Sequence, residues 1–429
     1  MVMRYLLFLL PLFALADTVK DREGAVRSDR KNMAAQDRWI YNDTDKAFAE
    51  AARTKKPVLV VLRCVPCLAC GGLDNAMTQN GELASLLDKF VCLRLINTNS
   101  LDLNRFQFDY DLSLSALILN ADGTTYGRFG SWKHQKNPGD DSTEGFKVAL
   151  TSALALHKNY PSNKASLADK QPRPLGYKTP LQIPLIAKSK RDFKLELDWQ
   201  GKVVQSCVHC HQIGDGLKAN FHDRGKNVPL RLSHPMPNPE SIGVVLSDGK
   251  RATIEEVQAG TPAAKGGLKA GDEIITAQKA PLISPADLSW TLHHLDDEGS
   301  LSLTIKRDGK VTLVSLDLPK NWRLRSDISR RVGTWPMRAW IGGGMKLESV
   351  EGDHLGLRAA HVGQYGTHAA AKRAGFKKGD LIVEVDGITE NLTESELIGR
   401  LLQRYSRPTK VKAIVVRNGK RLTLDFPIQ

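Results

Sequence analysis

Two cysteine clusters hold most of the chemistry that this sequence can offer. Cys64-Val65-Pro66-Cys67-Leu68-Ala69-Cys70 follows the apolar run Val58-Leu59-Val60-Val61-Leu62, and Cys207-Val208-His209-Cys210-His211 comes about 140 residues later. Cysteines three positions apart can close a disulfide without moving the backbone, and a thiolate at a helix start is stabilised by unpaired N–H groups and the helix dipole. Three cysteines at this spacing could instead hold a soft metal such as Cu(I), or form one structural disulfide with a spare thiol. The sixth cysteine, Cys92, sits in an apolar strand and reads as an inert core residue.

The second cluster has the Cys-x-x-Cys-His spacing of c-type haem attachment sites. On one helical turn both thiols can form thioethers to a haem, and the next imidazole, His211, reaches the iron from the same side. Met236, in Ser233-His234-Pro235-Met236-Pro237, is then the first choice for the opposite ligand, with His222 and His234 as alternatives. The competing reading is a disulfide or zinc site built from Cys207, Cys210 and His211 in a small loop-rich segment. The remaining histidines, including His134, His293, His294, His361 and His368, show no metal spacing and read as surface residues.

Compartment decides what these thiols can do. Arg4, the apolar run Tyr5 to Leu15 and the small residues Ala14-Leu15-Ala16 read as a cleaved signal peptide over 1–16. The apolar run is shorter than the ~20 residues a membrane span needs, so the expected location is periplasmic or secreted. At 429 residues the chain suggests two to four domains. A formal charge of +14 invites a nucleic-acid reading, but the cations are scattered and no aromatic-basic recognition motif occurs, so none is expected.

The elements that must position the thiols can be read from periodicity. Residues 17–37 are polar and read as a linker. Residues 44–55 read as a capped helix, 58–62 as a buried strand, 82–89 as helical, and 90–96, 116–119 and 126–129 as strands, with 143–157 as a closing helix. This is the alternation of a three-layer α/β domain over 38–160. Residues 161–240 hold nine of the 20 prolines and read as a basic connector with an ordered nucleus around Cys207 to His211. Beyond it the chain repeats: Ala263-Ala264-Lys265-Gly266-Gly267-Leu268-Lys269-Ala270-Gly271-Asp272 returns 108 residues later as Ala371 to Asp380. Each copy is followed by a strand, a helix and a hairpin turning at Asp308-Gly309 or Asn418-Gly419.

Lys56-Pro57-Val58-Leu59-Val60 followed by Cys67-Leu68-Ala69-Cys70 resembles exported thioredoxin-like proteins. That resemblance implies Cys67 as exposed nucleophile and Cys70 as resolving thiol, with Cys64 an addition near the strand end. Where such proteins carry a cis-proline facing the disulfide, this chain has Leu114-Ser115. The stretches Leu268 to Ile275 and Ala374 to Ile382 resemble PDZ domains of bacterial periplasmic proteins, which bind extended peptides by strand addition. The resemblance implies carboxylate-holding loops at Ile242-Gly243-Val244 and at Gly343-Gly344-Met345, with groove helices near 285–295 and 394–404. The layout as a whole is similar to exported bacterial proteins that join these modules: an α/β thioredoxin-like domain, a Cys-x-x-Cys-His linker (161–240) and two β-rich PDZ domains (241–320 and 333–429).

Two functions follow. One is a thiol–disulfide or electron-transfer protein that captures peptide or protein clients in PDZ grooves, works with a periplasmic redox partner and carries a haem c. The other is a non-enzymatic adaptor with structural cysteines. A serine protease is not supported, since no Gly-x-Ser-Gly nucleophile turn precedes the repeats.

Overall fold

The computed structural model describes residues 21–65, 71–78, 81–130, 143–352 and 354–429. The expected signal segment, the thiols Cys67 and Cys70, and His134 lie outside the described residues.

The N-terminal unit contains α1 (Arg22–Ala34), β1 (Trp39–Tyr41), α2 (Thr44–Thr54), β2 (Val58–Arg63), α3 (Gly71–Ala76), α4 (Ala84–Leu87), β3 (Val91–Leu95), β4 (Leu114–Leu119), β5 (Thr125–Phe129) and α5 (Thr143–Lys158). Its five strands order β1-β3-β2-β4-β5, with β3 parallel to β1 and β2, and β4 antiparallel to β2 and β5. Every residue of β2 is buried, and the strand period of two divides its side chains between two cores. Leu59 and Val61 join Phe146, Ala149 and Leu150 of α5, whereas Val58, Val60 and Leu62 join Ala47, Phe48 and Ala51 of α2.

The polar stretch before residue 38 is a helix, not a linker. Asp21 caps α1 by accepting from the Gly24 N–H at 2.7 Å, and Asp29 pairs with buried Arg94 of β3. Residues 161–240 likewise depart from the expected connector. They contain α6 (Pro184–Ala187), α7 (Cys210–His222) and α8 (Leu230–Ser233), and Ile183, Ile186, Val208, Ile213 and Leu217 complete the same core as α2. The segment is therefore a third layer on the sheet.

The first repeat holds β6 (Val244–Leu246), β7 (Ile254–Val257), α9 (Pro262–Lys265), β8 (Glu273–Ala277), β9 (Ala280–Pro281), α10 (Pro285–His294), β10 (Gly299–Arg307) and β11 (Lys310–Leu318). After α11 (Thr334–Trp340), the second holds β12 (Met345–Ser349), β13 (Leu357–Val362), α12 (Ala370–Arg373), β14 (Leu381–Val385), α13 (Glu394–Arg404), β15 (Thr409–Arg417) and β16 (Lys420–Ile428). One polar lock recurs in both. Asp272 accepts from the Lys269 N–H at 2.9 Å and from Arg307 Nε at 2.6 Å, and Asp380 does so from the Lys377 N–H and Arg417 Nε at the same distances. The hairpin turns have positive φ at Asp308-Gly309 and Asn418-Gly419, which the right-handed strand twist favours in two-residue hairpins.

Candidate thiol site

Cys64 directly follows β2, and its N–H donates at 2.8 Å to the carbonyl of Ser113, one residue before β4 begins. Arg63 beside it donates to Asp74 of α3 at 2.7 Å, and Arg94 reaches the other Asp74 oxygen at 3.0 Å. This Arg-Asp-Arg-Asp chain, completed by Asp29, anchors α1 and α3 to the strand ends beside Cys64.

The second cluster lies against the same strand ends. Asn99 is fully buried, accepts from the Val208 N–H at 2.7 Å and donates to the carbonyls of Lys194 and Ser206. Asn97 adds a bond to the Leu195 carbonyl, and the Thr98 hydroxyl lies 3.8 Å from Cys210 Sγ. Sequence reading passed over Asn97-Thr98-Asn99. The available signal was three adjacent amide and hydroxyl side chains directly after a buried strand, where buried polar groups need partners.

As a result Cys64 meets the second cluster. Cys64, Cys207, His209 and Cys210 line one cavity of about 40 Å³, closed by Val26, Ile96 and Leu197. Cys64 Sγ lies 4.0 Å from His209 Nδ1, and Cys207 Sγ donates to the Ile96 carbonyl at 3.5 Å. Among the described residues, Cys92, Cys207 and Cys210 are free thiols. Burial, reinforced by the neighbouring Cys64 and Cys207 sulfurs, pushes the Cys210 thiol up to about 12, and burial also raises Cys207. Burial lowers His209 to about 4, with His211 the next contributor, so the imidazole facing Cys64 is neutral and can accept a hydrogen bond from the thiol. Cys92 sits within the core with its thiol raised to about 12 by burial.

As arranged, these residues do not fit a haem. Both thiols of the Cys-x-x-Cys-His segment turn into a space that holds little more than a water, whereas ligand pockets run to roughly 300–1,000 Å³. His211 points away, 34% exposed, with Nδ1 3.2 Å from Asp215. Met236 lines a different cavity with Phe108, Trp290 and His293, to which neither cysteine nor His211 contributes. The alternatives are engaged as well: His222 Nε2 pairs with the Gln429 carbonyl, and His234 Nε2 with that of Ser395. Among the described residues no three or more His, Cys, Asp or Glu side chains are grouped to hold a metal ion.

The loops expected to hold a peptide carboxylate have some of their N–H groups bonded within the chain. Ser241, Ile242, Gly243 and Val244 are buried, with the Ser241 and Gly243 N–H groups on the Asn238 and Glu240 carbonyls. In the second repeat Gly344 N–H donates to the Arg338 carbonyl and Met345 N–H to that of Gly342, while Gly343 is pressed against Ala371. At the edge of β12, the Leu347 N–H donates at 2.8 Å to Glu394, itself clamped by Arg338. His293 and His294 are not surface residues either, since both rings pack on Trp290.

No helix among the described residues is long and apolar enough to cross a membrane. Residues 39–121 match the thioredoxin-like family model, and residues 240–318 match the PDZ domain model. Among curated relatives, the chain is 27% identical over 195 residues to a probable periplasmic serine endoprotease DegP-like of Pseudomonas savastanoi, covering 44% of this chain and 39% of that protein. It is 25% identical over 185 residues to the zinc metalloprotease Rip1 of Mycobacterium tuberculosis, covering 42% and 38%. It is 28% identical over 148 residues to the periplasmic serine endoprotease DegP of Salmonella typhimurium, covering 34% and 29%. The chain thus spans about two fifths or less of the length of these relatives, and it carries a thioredoxin-like domain followed by a PDZ domain.

Proposed function

We propose that this chain is an exported thiol–disulfide protein in which Cys64, Cys67 and Cys70 work together with Cys207 and Cys210 as one redox centre. The observation that carries this reading is the meeting of Cys64, His209 and the Cys207/Cys210 pair around a single cavity at the strand ends of a thioredoxin-like domain. A thiolate attacks one sulfur of a client disulfide and releases the other as a thiolate. A second protein thiol then displaces the mixed disulfide, so the client gains two electrons and the protein pair becomes a disulfide. Re-reduction requires a dithiol partner in the same compartment. The reading of the second repeat as another PDZ domain is supported by its Asp380–Arg417 lock, which duplicates Asp272–Arg307. Export is supported by the signal-like residues 1–16 and by the periplasmic endoproteases among the relatives.

The raised Cys207 and Cys210 thiols have a consequence for potential. Thiols that are costly to ionise favour the disulfide, whereas a stabilised thiolate favours the reduced pair. Titrating the full chain in dithiothreitol buffers, with thiol trapping and mass readout, should give a Cys207/Cys210 couple more negative than the about −270 mV of thioredoxin. Thiols whose labelling never responds to potential would leave the adaptor reading, with cysteines as fixed structural groups.

A further inference from the structure

A second cavity, of about 150 Å³, lies between the β4–β5 end of the thioredoxin-like domain and the β6–β7 hairpin and α10 of the PDZ domain. Its walls include the apolar side chains Phe108, Leu112, Phe129 and Met236, and its polar lining includes Ser115 and Arg128. Two of these groups are buried with hydrogen-bonding capacity unused. Arg128, 3% exposed, donates from Nε to the Gln107 carbonyl at 2.9 Å and from Nη1 to the Lys170 carbonyl at 3.0 Å, while its Nη2 has no partner among the described residues. Ser115, 2% exposed, has a hydroxyl equally without one.

The guanidinium stacks on Trp290, 3.4 Å from the ring centroid, but no neighbouring carboxylate places an oxygen on its Nη2. Asp287 places one oxygen on the Arg128 main-chain N–H and the other on Lys170 Nζ and the Ile283 N–H. Both oxygens of Asp109 accept from Arg331 Nη1 at 2.8 Å. Glu240, Asp248 and Lys250 also line the cavity, so both signs of charge border it. A buried cationic donor without an acceptor is costly, and a ligand bearing an anionic acceptor would relieve that cost.

The shape specifies the rest of the ligand. A cavity of this volume accommodates an apolar group about the size of benzene. It borders Leu246 at the end of β6 and Pro285, Ala286 and Ser289 at the start of α10, the strand and helix that bound a PDZ peptide groove, whereas the loop expected to hold the terminal carboxylate is buried with its Gly243 N–H already bonded. We propose that this cavity receives the C-terminal residue of an extended polypeptide, its carboxylate accepting from Arg128 Nη2 and Ser115 Oγ and its apolar side chain packing on Phe108, Leu112, Phe129 and Met236. The thioredoxin-like domain thereby supplies the carboxylate anchor for the PDZ groove. This assignment does not depend on the thiol chemistry.

The test is fluorescence anisotropy on the full chain with a labelled six-residue peptide ending in phenylalanine, as the free acid and as the C-terminal amide. The free acid should saturate, and the amide should bind about 10- to 100-fold more weakly, the range for a hydrogen bond to a charged group. Arg128→Gln should erase the difference between acid and amide. Because Arg128 also braces main-chain carbonyls, Ser289→Trp provides a second variant: it fills the cavity from the partly exposed face of α10 and should abolish binding. Equal affinity for acid and amide, undiminished binding by Ser289→Trp, or no binding of the free acid at all would each overturn the assignment.

Discussion

Replacing Asp287 by alanine is expected to destabilise the chain by about 3–5 kcal/mol, the range for breaking a buried ion pair, and to loosen the PDZ domain from the thioredoxin-like domain. Asp287 and Lys170 are each 1% exposed, and their 2.7 Å contact crosses between the two domains. Asp287 also accepts from the Arg128 N–H on β5, and Ser284 donates to the Arg128 carbonyl. The outer edge of the thioredoxin-like sheet is thereby covered by the start of α10, which keeps its main-chain groups from pairing with another chain. Without the carboxylate the Lys170 ammonium remains buried beside Arg128, and burial already lowers its proton affinity. The double variant Asp287→Leu/Lys170→Met should recover much of the loss, because removing both charges eliminates the uncompensated one. Urea unfolding of Asp287→Leu, Lys170→Met and the double variant measures the coupling. Additive losses would contradict it.

The second large effect is acid lability well above the range in which carboxylates protonate. Burial lowers His209 and His294 to about 4 and His234 to about 3, and drives His293 well below its ordinary 6.5. Below pH 6.5 the unfolded chain protonates these four imidazoles while the folded chain does not, so unfolding takes up protons and stability falls as pH falls. The slope approaches about 1.4 kcal/mol per pH unit for each histidine, against a usual net stability of about 5–15 kcal/mol. Asp109 opposes this by at most one proton, since burial raises its carboxyl. The urea midpoint should therefore drop steeply between pH 6.5 and 4.5, and His234→Gln should flatten the slope by about a quarter. A midpoint unchanged from pH 7 to 5 would contradict the buried, neutral state of these rings.

The strands of the first domain were legible because Val58 to Leu62 and Phe90 to Ile96 are continuous apolar runs too short for helices. β1 was missed because three residues, Trp39 to Tyr41, carry no period of their own and are fixed by pairing with Cys92 to Arg94. The helix over Arg22–Ala34 was missed for a different reason. Its sequence is mostly polar, and it is held by the Asp29–Arg94 pair and by Val26 and Met33, contacts that exist only once the chain has folded.

The connector misled because prolines interrupt it, and its buried residues, Ile183, Ile186, Val208, Ile213 and Leu217, fall at no single period. Its docking is written instead in Asn97 and Asn99, far away in sequence. The repeats were the most legible part, since Ala-Gly-Asp and Lys-Gly-Asp with their hairpin turns specify local structure directly. Their grooves were not: Glu394 at the Leu347 N–H and Arg128 beside α10 are tertiary facts. Likewise, nothing local joins Cys64 to Cys207, His209 and Cys210.

That junction is the centre of the account and can be tested directly. In the variant Cys67→Ser/Cys70→Ser/Cys92→Ser/Cys207→Ser the remaining thiols are Cys64 and Cys210, and diamide followed by iodoacetamide separates adjacent thiols, which close a disulfide bridge, from isolated ones, which are alkylated. The account predicts one bridge per folded chain, recovered after proteolysis as a fragment joining Cys64 to Cys210, and its loss in urea. Two singly alkylated cysteines in the folded protein would contradict the shared thiol centre.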